Sequence, residues 1–136
     1  MKKITLGFFI LITTMSIFVI AYSYSMANEK FLTVKQAEKK WGILSFDAKK
    51  FTTLSEEKKG AMAVDLVKQK KYVNSLRQDV IKEMGDPDSY FFSDTILAYK
   101  ITRREKNKEQ WHLIFIPDDK LERVKEVRIH KRCCYE

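Results

Sequence analysis

The sequence predicts an α+β fold in which two helices pack on a three-stranded antiparallel sheet, preceded by an N-terminal hydrophobic signal or anchor helix and a short polar helix. Three observations support this fold class. Apolar residues recur at helical spacing in the first part of the chain and alternate with polar residues in the last part. A Gly-Asp-Pro-Asp stretch separates the two parts and forbids one continuous helix. The segments between the alternating stretches are too short for a parallel crossover.

Residues 1–27 are predicted to be a signal peptide or a signal anchor. Two lysines precede an uncharged run over residues 4–21, whose length lies between the ~7–15 residues of a secretory apolar core and the ~20 of a spanning helix. Ser25 and Ala27 place small residues at the two positions that signal peptidase reads. Both alternatives export residues 28–136 across the inner membrane, where they are periplasmic or anchored to that membrane.

A polar lead-in with one short helix is predicted over residues 28–50. Thr33 and Gln36 fit a capping box, in which the two side chains satisfy backbone N–H groups at the start of a helix. Gly42 suits the end of the same helix. We therefore expect a helix over residues 34–41.

The main domain is predicted over residues 51–136 and begins with two helices. Ser55, followed by two glutamates, is a suitable N-cap for a first helix over roughly 56–71. The second helix is expected to follow a capping box that starts at Ser75, and Gly85 with the proline beyond it is expected to end it.

The three predicted strands lie in the last part of the chain. Alternating or β-rich stretches cover residues 97–102, 110–117 and 126–130. The connections over 103–109 and 117–120 suit hairpins, so the strands are expected to be antiparallel. The helices should then cover one face of the sheet.

Several stretches together resemble a known family. They are "KGAMAVDL", "SLRQDVIKEMGDPD", "LAYKI" and "WHLIFIPDDKLERVKEV", within roughly residues 55–133, and "GDPD" is the most specific of them. This pattern resembles the SmpA/OmlA (BamE-like) family of small bacterial cell-envelope proteins. The resemblance implies two helices on a three-stranded antiparallel sheet. The chain departs from the family in having Asn74 where a glycine usually precedes the second helix, and in lacking the lipid-modified cysteine of many members.

No catalytic residues and no cofactor are predicted. The chain contains no H-E-x-x-H, G-x-S-x-G or P-loop motif, and its four glycines offer little material for a phosphate-binding loop. Its 26 basic residues are interspersed with 18 acidic ones, which is typical of a solvated surface. Nucleic acid is therefore not an expected partner.

Two stretches are candidate partner-binding surfaces. Three aromatic residues directly follow the second helix, and neighbours in an extended segment point to opposite faces, so at least one must face away from the domain. We expect Tyr90 or Phe92 to close the edge of the core. The basic connection between the first two strands suits an anionic membrane surface or an acidic partner, or is a solvated turn. The candidate residues are Tyr90, Phe91, Phe92, Arg103, Arg104 and Lys106.

The histidines and cysteines are weaker candidates. With a turn at 117–120, His112 and His130 would lie ~17 Å apart at strand rise, so no metal site is expected from them, with His130 exposed and His112 partly packed. Cys133 and Cys134 form a candidate thiol or disulfide site. Adjacent Cα atoms are ~3.8 Å apart, below the ~4.4–6.8 Å of an ordinary disulfide, so an unstrained bridge would link two chains as a dimer.

These observations predict a non-enzymatic cell-envelope protein that acts as a protein-interaction module, in envelope assembly or maintenance. Its partner would be another envelope protein. An inhibitor or immunity-type protein that binds an exported enzyme is one alternative. A thiol-dependent or metal-binding protein that uses Cys133 and Cys134 is the other.

Overall fold

The computed structural model describes residues 31–103 and 109–132. They form an α+β fold with four helices and four strands, which confirms the predicted class. The predicted signal or anchor segment lies outside the described residues, as do Arg104, Lys106, Cys133 and Cys134. Among the helices of the described part, none is long and apolar enough to cross a bilayer.

The strands form one antiparallel sheet in the order β1-β4-β3-β2. The three predicted strands are present, and the sheet contains a fourth that the sequence analysis missed. It has two residues, too few for an alternating pattern, and pairs with the end of the last strand. The strands are β1 (Phe31–Leu32), β2 (Leu97–Lys100), β3 (Trp111–Pro117) and β4 (Val124–Lys131).

The helices agree with the sequence analysis in part. The polar helix has the predicted bounds, the next predicted helix ends three residues early, and a four-residue helix was missed. The early end follows from Lys70 and Tyr72, whose φ angles of 52° and 69° leave the helical region. The helices are α1 (Val34–Trp41), α2 (Ala48–Phe51), α3 (Glu56–Lys68) and α4 (Arg77–Met84).

The predicted capping box at the start of α1 is present. The Gln36 N–H donates to Thr33 Oγ1 at 3.3 Å, and the Thr33 N–H donates to Gln36 Oε1 at 2.9 Å. Thr33→Ala should therefore lower the free energy of unfolding by about 1 kcal/mol, because it leaves an N–H of the first turn without its acceptor. Urea denaturation would measure this loss, and Thr33→Ser, which keeps the hydroxyl, should restore most of it.

The predicted capping box at Ser75 is wrong. Helix α4 begins after Leu76, which is its N-cap and makes no side-chain capping bond. Ser75 is instead held by the sheet, because its carbonyl accepts the Val124 N–H at 2.9 Å and the next residue bridges to Arg123. Gly85 ends the helix as predicted, with φ at 84°.

The main core lies between the helices and one face of the sheet. The Tyr99 hydroxyl donates to the Gly85 carbonyl at 2.8 Å and so ties the end of α4 to β2. Burial, together with the nearby carboxylates, raises the pKa of Tyr99, so the phenol stays neutral. The largest fully buried side chains include Phe51, Leu66, Tyr99, Leu113, Phe115 and Ile129.

The other face of the sheet carries a second, smaller apolar cluster. Phe91 packs there with Ala98 and Ile114, and the partly buried Ile96 and Ile116 border them. Residues 89–95, called the aromatic segment below, supply this cover. The sequence predicted that the helices would cover one face of the sheet, and it predicted nothing on the other face.

Candidate functional site

The aromatic segment begins at the edge of the sheet beside β2. The Ser89 N–H donates to the Ala98 carbonyl at 3.2 Å, and the Lys100 N–H donates to Asp88 Oδ1 at 2.7 Å. These bonds satisfy groups on the outer edge of β2 that a further strand would otherwise use. The segment is therefore attached at a defined position, and the edge of β2 is partly blocked.

Phe91 is the buried member of the three aromatic residues. Its ring packs edge-on against His130, with 4.5 Å between the ring centroids. Tyr90 and Phe92 are 57% and 59% exposed. The expectation that Tyr90 or Phe92 closes the core is thus wrong, because the segment crosses the sheet with its middle residue turned inward. Both of its neighbours face solvent.

Short hydrogen bonds hold the exposed part of the segment in one conformation. The Tyr90 hydroxyl donates to the Phe92 carbonyl at 2.5 Å, and the Ser93 N–H donates to the Phe91 carbonyl at 2.6 Å. Phe92 has a φ of 57°, which is uncommon for a bulky residue. The two exposed rings are therefore presented by a constrained loop and not by a loose one.

The two histidines lie opposite each other, which corrects the predicted ~17 Å separation. The β3–β4 register pairs His112 with His130, and both are buried, at 1% and 4% exposure. The β3–β4 connection is longer than predicted, because Asp118 Oδ1 accepts the N–H groups of Glu122 and Arg123 at 3.0 and 3.2 Å. Closing the turn later moves the register and brings the imidazoles together.

The pair sits in an aromatic and cationic environment. Phe31 and Phe91 both contact the His130 ring edge-on, at 4.6 and 4.5 Å between centroids. Within the described residues, His112 Nδ1 is buried without a hydrogen-bond partner. Burial lowers the pKa of His112 to about 4, and the Arg132 charge acts in the same direction. His112 is therefore neutral at pH 7.

A metal site is not formed by the two histidines with other described side chains. Across residues 31–103 and 109–132, no group of three or more His, Cys, Asp or Glu side chains is placed to hold a metal ion. Cys133 and Cys134 lie outside these ranges, so the thiol or disulfide site stays a prediction.

Arg103 follows β2 at the end of the sheet opposite to the β3–β4 turn. It is exposed, and its N–H donates to the Glu56 carboxylate. A groove of about 510 Å³ lies beside it, between the start of α3 and the end of β2. The other two members of the predicted basic surface are outside the described residues, so only Arg103 is placed.

A larger groove, of about 700 Å³, lies beside α2 and α4 and was not predicted. Phe46 and Tyr72 form an aromatic wall of this groove. The Lys71 ammonium lies over both rings, 4.9 and 5.2 Å from their centroids. Acidic and basic side chains line it together, so its charge selects neither a cation nor an anion. The lining includes Asp47, Lys49, Lys71, Asp79, Lys82 and Glu83.

The structure brings together only part of the predicted partner-binding surface. Among the predicted site residues, Tyr90 and Phe92 are exposed on one constrained loop, and Phe91 anchors that loop. Arg103 follows the end of β2 and is exposed, and Arg104 and Lys106 lie outside the described residues. No family model matches the chain, and no curated protein and no solved structure is significantly similar to it.

Proposed function

We propose that the chain is a non-enzymatic cell-envelope protein that binds another envelope protein through Tyr90 and Phe92. The observation that carries the proposal is the exposure of two aromatic side chains, 57% and 59%, on either side of a buried third that anchors the loop. Aromatic residues dominate the binding energy of protein interfaces when they enter a pocket of the partner.

The constrained loop supports binding for a second reason. Ordering a flexible loop on binding costs conformational entropy, and a loop already held by its own hydrogen bonds avoids most of that cost. Tyr90 and Phe92 are held by bonds within the segment and by the contact of Phe91 with the sheet. The two rings would therefore already be ordered when a partner binds.

The cellular setting is part of the same proposal. Residues 1–27 would export the chain as a signal peptide or hold it in the inner membrane as an anchor helix. A BamE-like arrangement of two helices on three strands, with the short polar helix before it, would be the binding domain. Envelope assembly or maintenance would be the process.

Two alternative functions and one alternative binding surface use parts of the same chain. An inhibitor or immunity-type protein would use the same exposed aromatic pair, and the identity of the target would separate it from the first proposal. A thiol or metal-binding protein would use Cys133 and Cys134, with a disulfide-linked dimer as one product. An anionic membrane surface would instead be met by Arg103, Arg104 and Lys106.

The proposal predicts selective loss of a partner. Full-length protein with Tyr90→Ser and Phe92→Ser, recovered from native membranes, should lose at least one protein that the wild type retains, because the partner's pocket is left empty. Leu44→Ser is the matched control, since Leu44 is 39% exposed elsewhere. Identical recovery from all three chains would refute the proposal.

A further inference from the structure

A row of basic side chains crosses the face of the sheet that the aromatic segment covers. The strand registers place Lys100, His112 and His130 side by side on β2, β3 and β4. Directly opposed residues of antiparallel strands have Cβ atoms ~4.5–5.5 Å apart. A proton taken up by either imidazole would therefore lie next to another basic side chain.

The aromatic segment closes this face over the two imidazoles. Phe91 packs with Ala98 of β2 and Ile114 of β3. Its ring also contacts His130 of β4, with 4.5 Å between the ring centroids. Ile114 and His112 lie on the same face of β3, two residues apart. The Phe91 ring therefore reaches across the three strands beside His112, and both imidazoles are buried.

Burial and nearby charges both act on a proton in this closed site. Burial is the main reason that a proton on His112 is unfavourable. Arg132, Lys100 and His130 oppose the proton as well. Asp88, which precedes the aromatic segment, favours it. The other charged groups of the strands and segment beside the pair are Glu126 and Arg128, which pair with each other, and the exposed Asp94.

The cover is held less firmly than the strands beneath it. Strand β3 lies between β2 and β4 and pairs with both along its length. Within the described residues, the segment is joined to the sheet by the Ser89–Ala98 bridge and by the packing of Phe91. Arg77 Nη2 donates to the Asp94 carbonyl at 3.5 Å, which is a long bond. A segment with so few attachments opens at a lower free-energy cost than the sheet does.

We propose that the aromatic segment is a pH-sensitive cover, which opens over residues 89–95 when the histidine pair takes up a proton, while the core between the helices and the sheet stays folded. A charged imidazole needs water or a counter-ion, and opening the cover admits water. The consequence for binding rests on the proposed function. Opening would release Tyr90 and Phe92 from their fixed positions, so the partner would bind near pH 7 and dissociate in acid.

The direction and size of the effect follow from the two states of His112. In the closed state its pKa is about 4, whereas a solvated histidine has a pKa of about 6.5. The open state therefore binds the proton first, and opening becomes more favourable as the pH falls from 6.5 towards 4. Between pH 7 and pH 5 the ratio of open to closed molecules should rise about 20-fold.

Amide hydrogen exchange of the full chain at pH 7 and pH 5 tests the cover, with each rate divided by the intrinsic rate at that pH. We expect the Ser89 and Ser93 amides to be less protected than those of α3 at both pH values, because the segment opens without global unfolding. Their protection should fall about 20-fold from pH 7 to pH 5. Protection equal to that of α3, or the same at both pH values, would overturn the inference.

His112→Gln combined with His130→Gln is the variant that cannot take up the proton. Any constant loosening of the segment affects both pH values, so the comparison uses the change in protection between them. That change should shrink from about 20-fold to about twofold or less. A full change in the double variant would show that other groups, such as Asp88, open the segment, and would overturn the role of the histidines.

Cross-linking separates this inference from the proposed function. Benzoylphenylalanine would replace Phe92 in the full chain, in the cells that produce the protein, at pH 7 and at pH 5. The adduct should lose about half of its yield or more at pH 5, and should keep it in the double histidine variant. No adduct at pH 7 would refute the proposed function, and hydrogen exchange would still decide whether the cover opens. A pH-independent yield would overturn the control of binding by the cover.

Discussion

Acidification from pH 7 to pH 5 is expected to lower the free energy of unfolding by about 2 kcal/mol through His112 alone. The side chain is 1% exposed, and burial lowers its pKa to about 4 from 6.5. Arg132, Lys100 and His130 act in the same direction, and Asp88 opposes them. The unfolded chain takes up the proton first, so the stability is complete above about pH 6.5 and is lost as the pH falls towards 4.

Urea denaturation of wild type and His112→Gln across this pH range would measure the effect. Glutamine has no charge at any of these pH values, so the variant should lose less stability between pH 7 and pH 5 than the wild type does. The comparison of slopes is unaffected by any constant cost of the substitution. Equal slopes for the two chains would show that His112 is not the buried titrating group described here.

Gly60→Val should lower the free energy of unfolding by about 3 kcal/mol, because there is no room for a side chain at this position. A Cβ atom on Gly60 would lie 2.5 Å from both Cγ and Cδ2 of Trp41. That indole ring cannot simply retreat, since it packs edge-on against Trp111 with 6.1 Å between centroids. Helix α3 would have to move away from α1.

The milder Gly60→Ala should cost about 1–2 kcal/mol, since the gain in helix propensity of about 1 kcal/mol offsets part of the clash. Combining it with Trp41→Ala removes the atoms that clash, so the two changes together should cost less than their sum. Lys58→Ala, at an exposed position of the same helix, serves as the control. An alanine at position 60 that stabilised the protein would contradict the packing described here.

Local signals in the sequence predicted much of the fold. Helix α1 was predicted with its correct bounds because Thr33, Gln36 and Gly42 define both ends through nearby hydrogen bonds. Other features depend on contacts distant in sequence. Ser75 fits a capping box, but its backbone carbonyl accepts a hydrogen bond from the Val124 N–H. No local sequence pattern predicts that pairing.

In the candidate site too, local signals predicted some features, and contacts distant in sequence determined others. The run of three aromatic residues indicated that at least one would face solvent, and two do. Which two was not predicted, because the backbone turns at Phe92, with a φ of 57°, and no local pattern identifies the face of the sheet that the segment crosses. The histidine pairing depended on where the β3–β4 turn closes, and Asp118 moved that point.

The central claim is that exposed aromatic residues on a constrained loop bind a protein partner, and position-resolved cross-linking at Phe92 tests it most directly. Benzoylphenylalanine at position 92 and at position 44 places the same reactive group at two exposed sites of the full chain. The proposal predicts a discrete adduct of constant mass from position 92 that position 44 does not form. Identical adducts from both positions, or none from position 92, would contradict it.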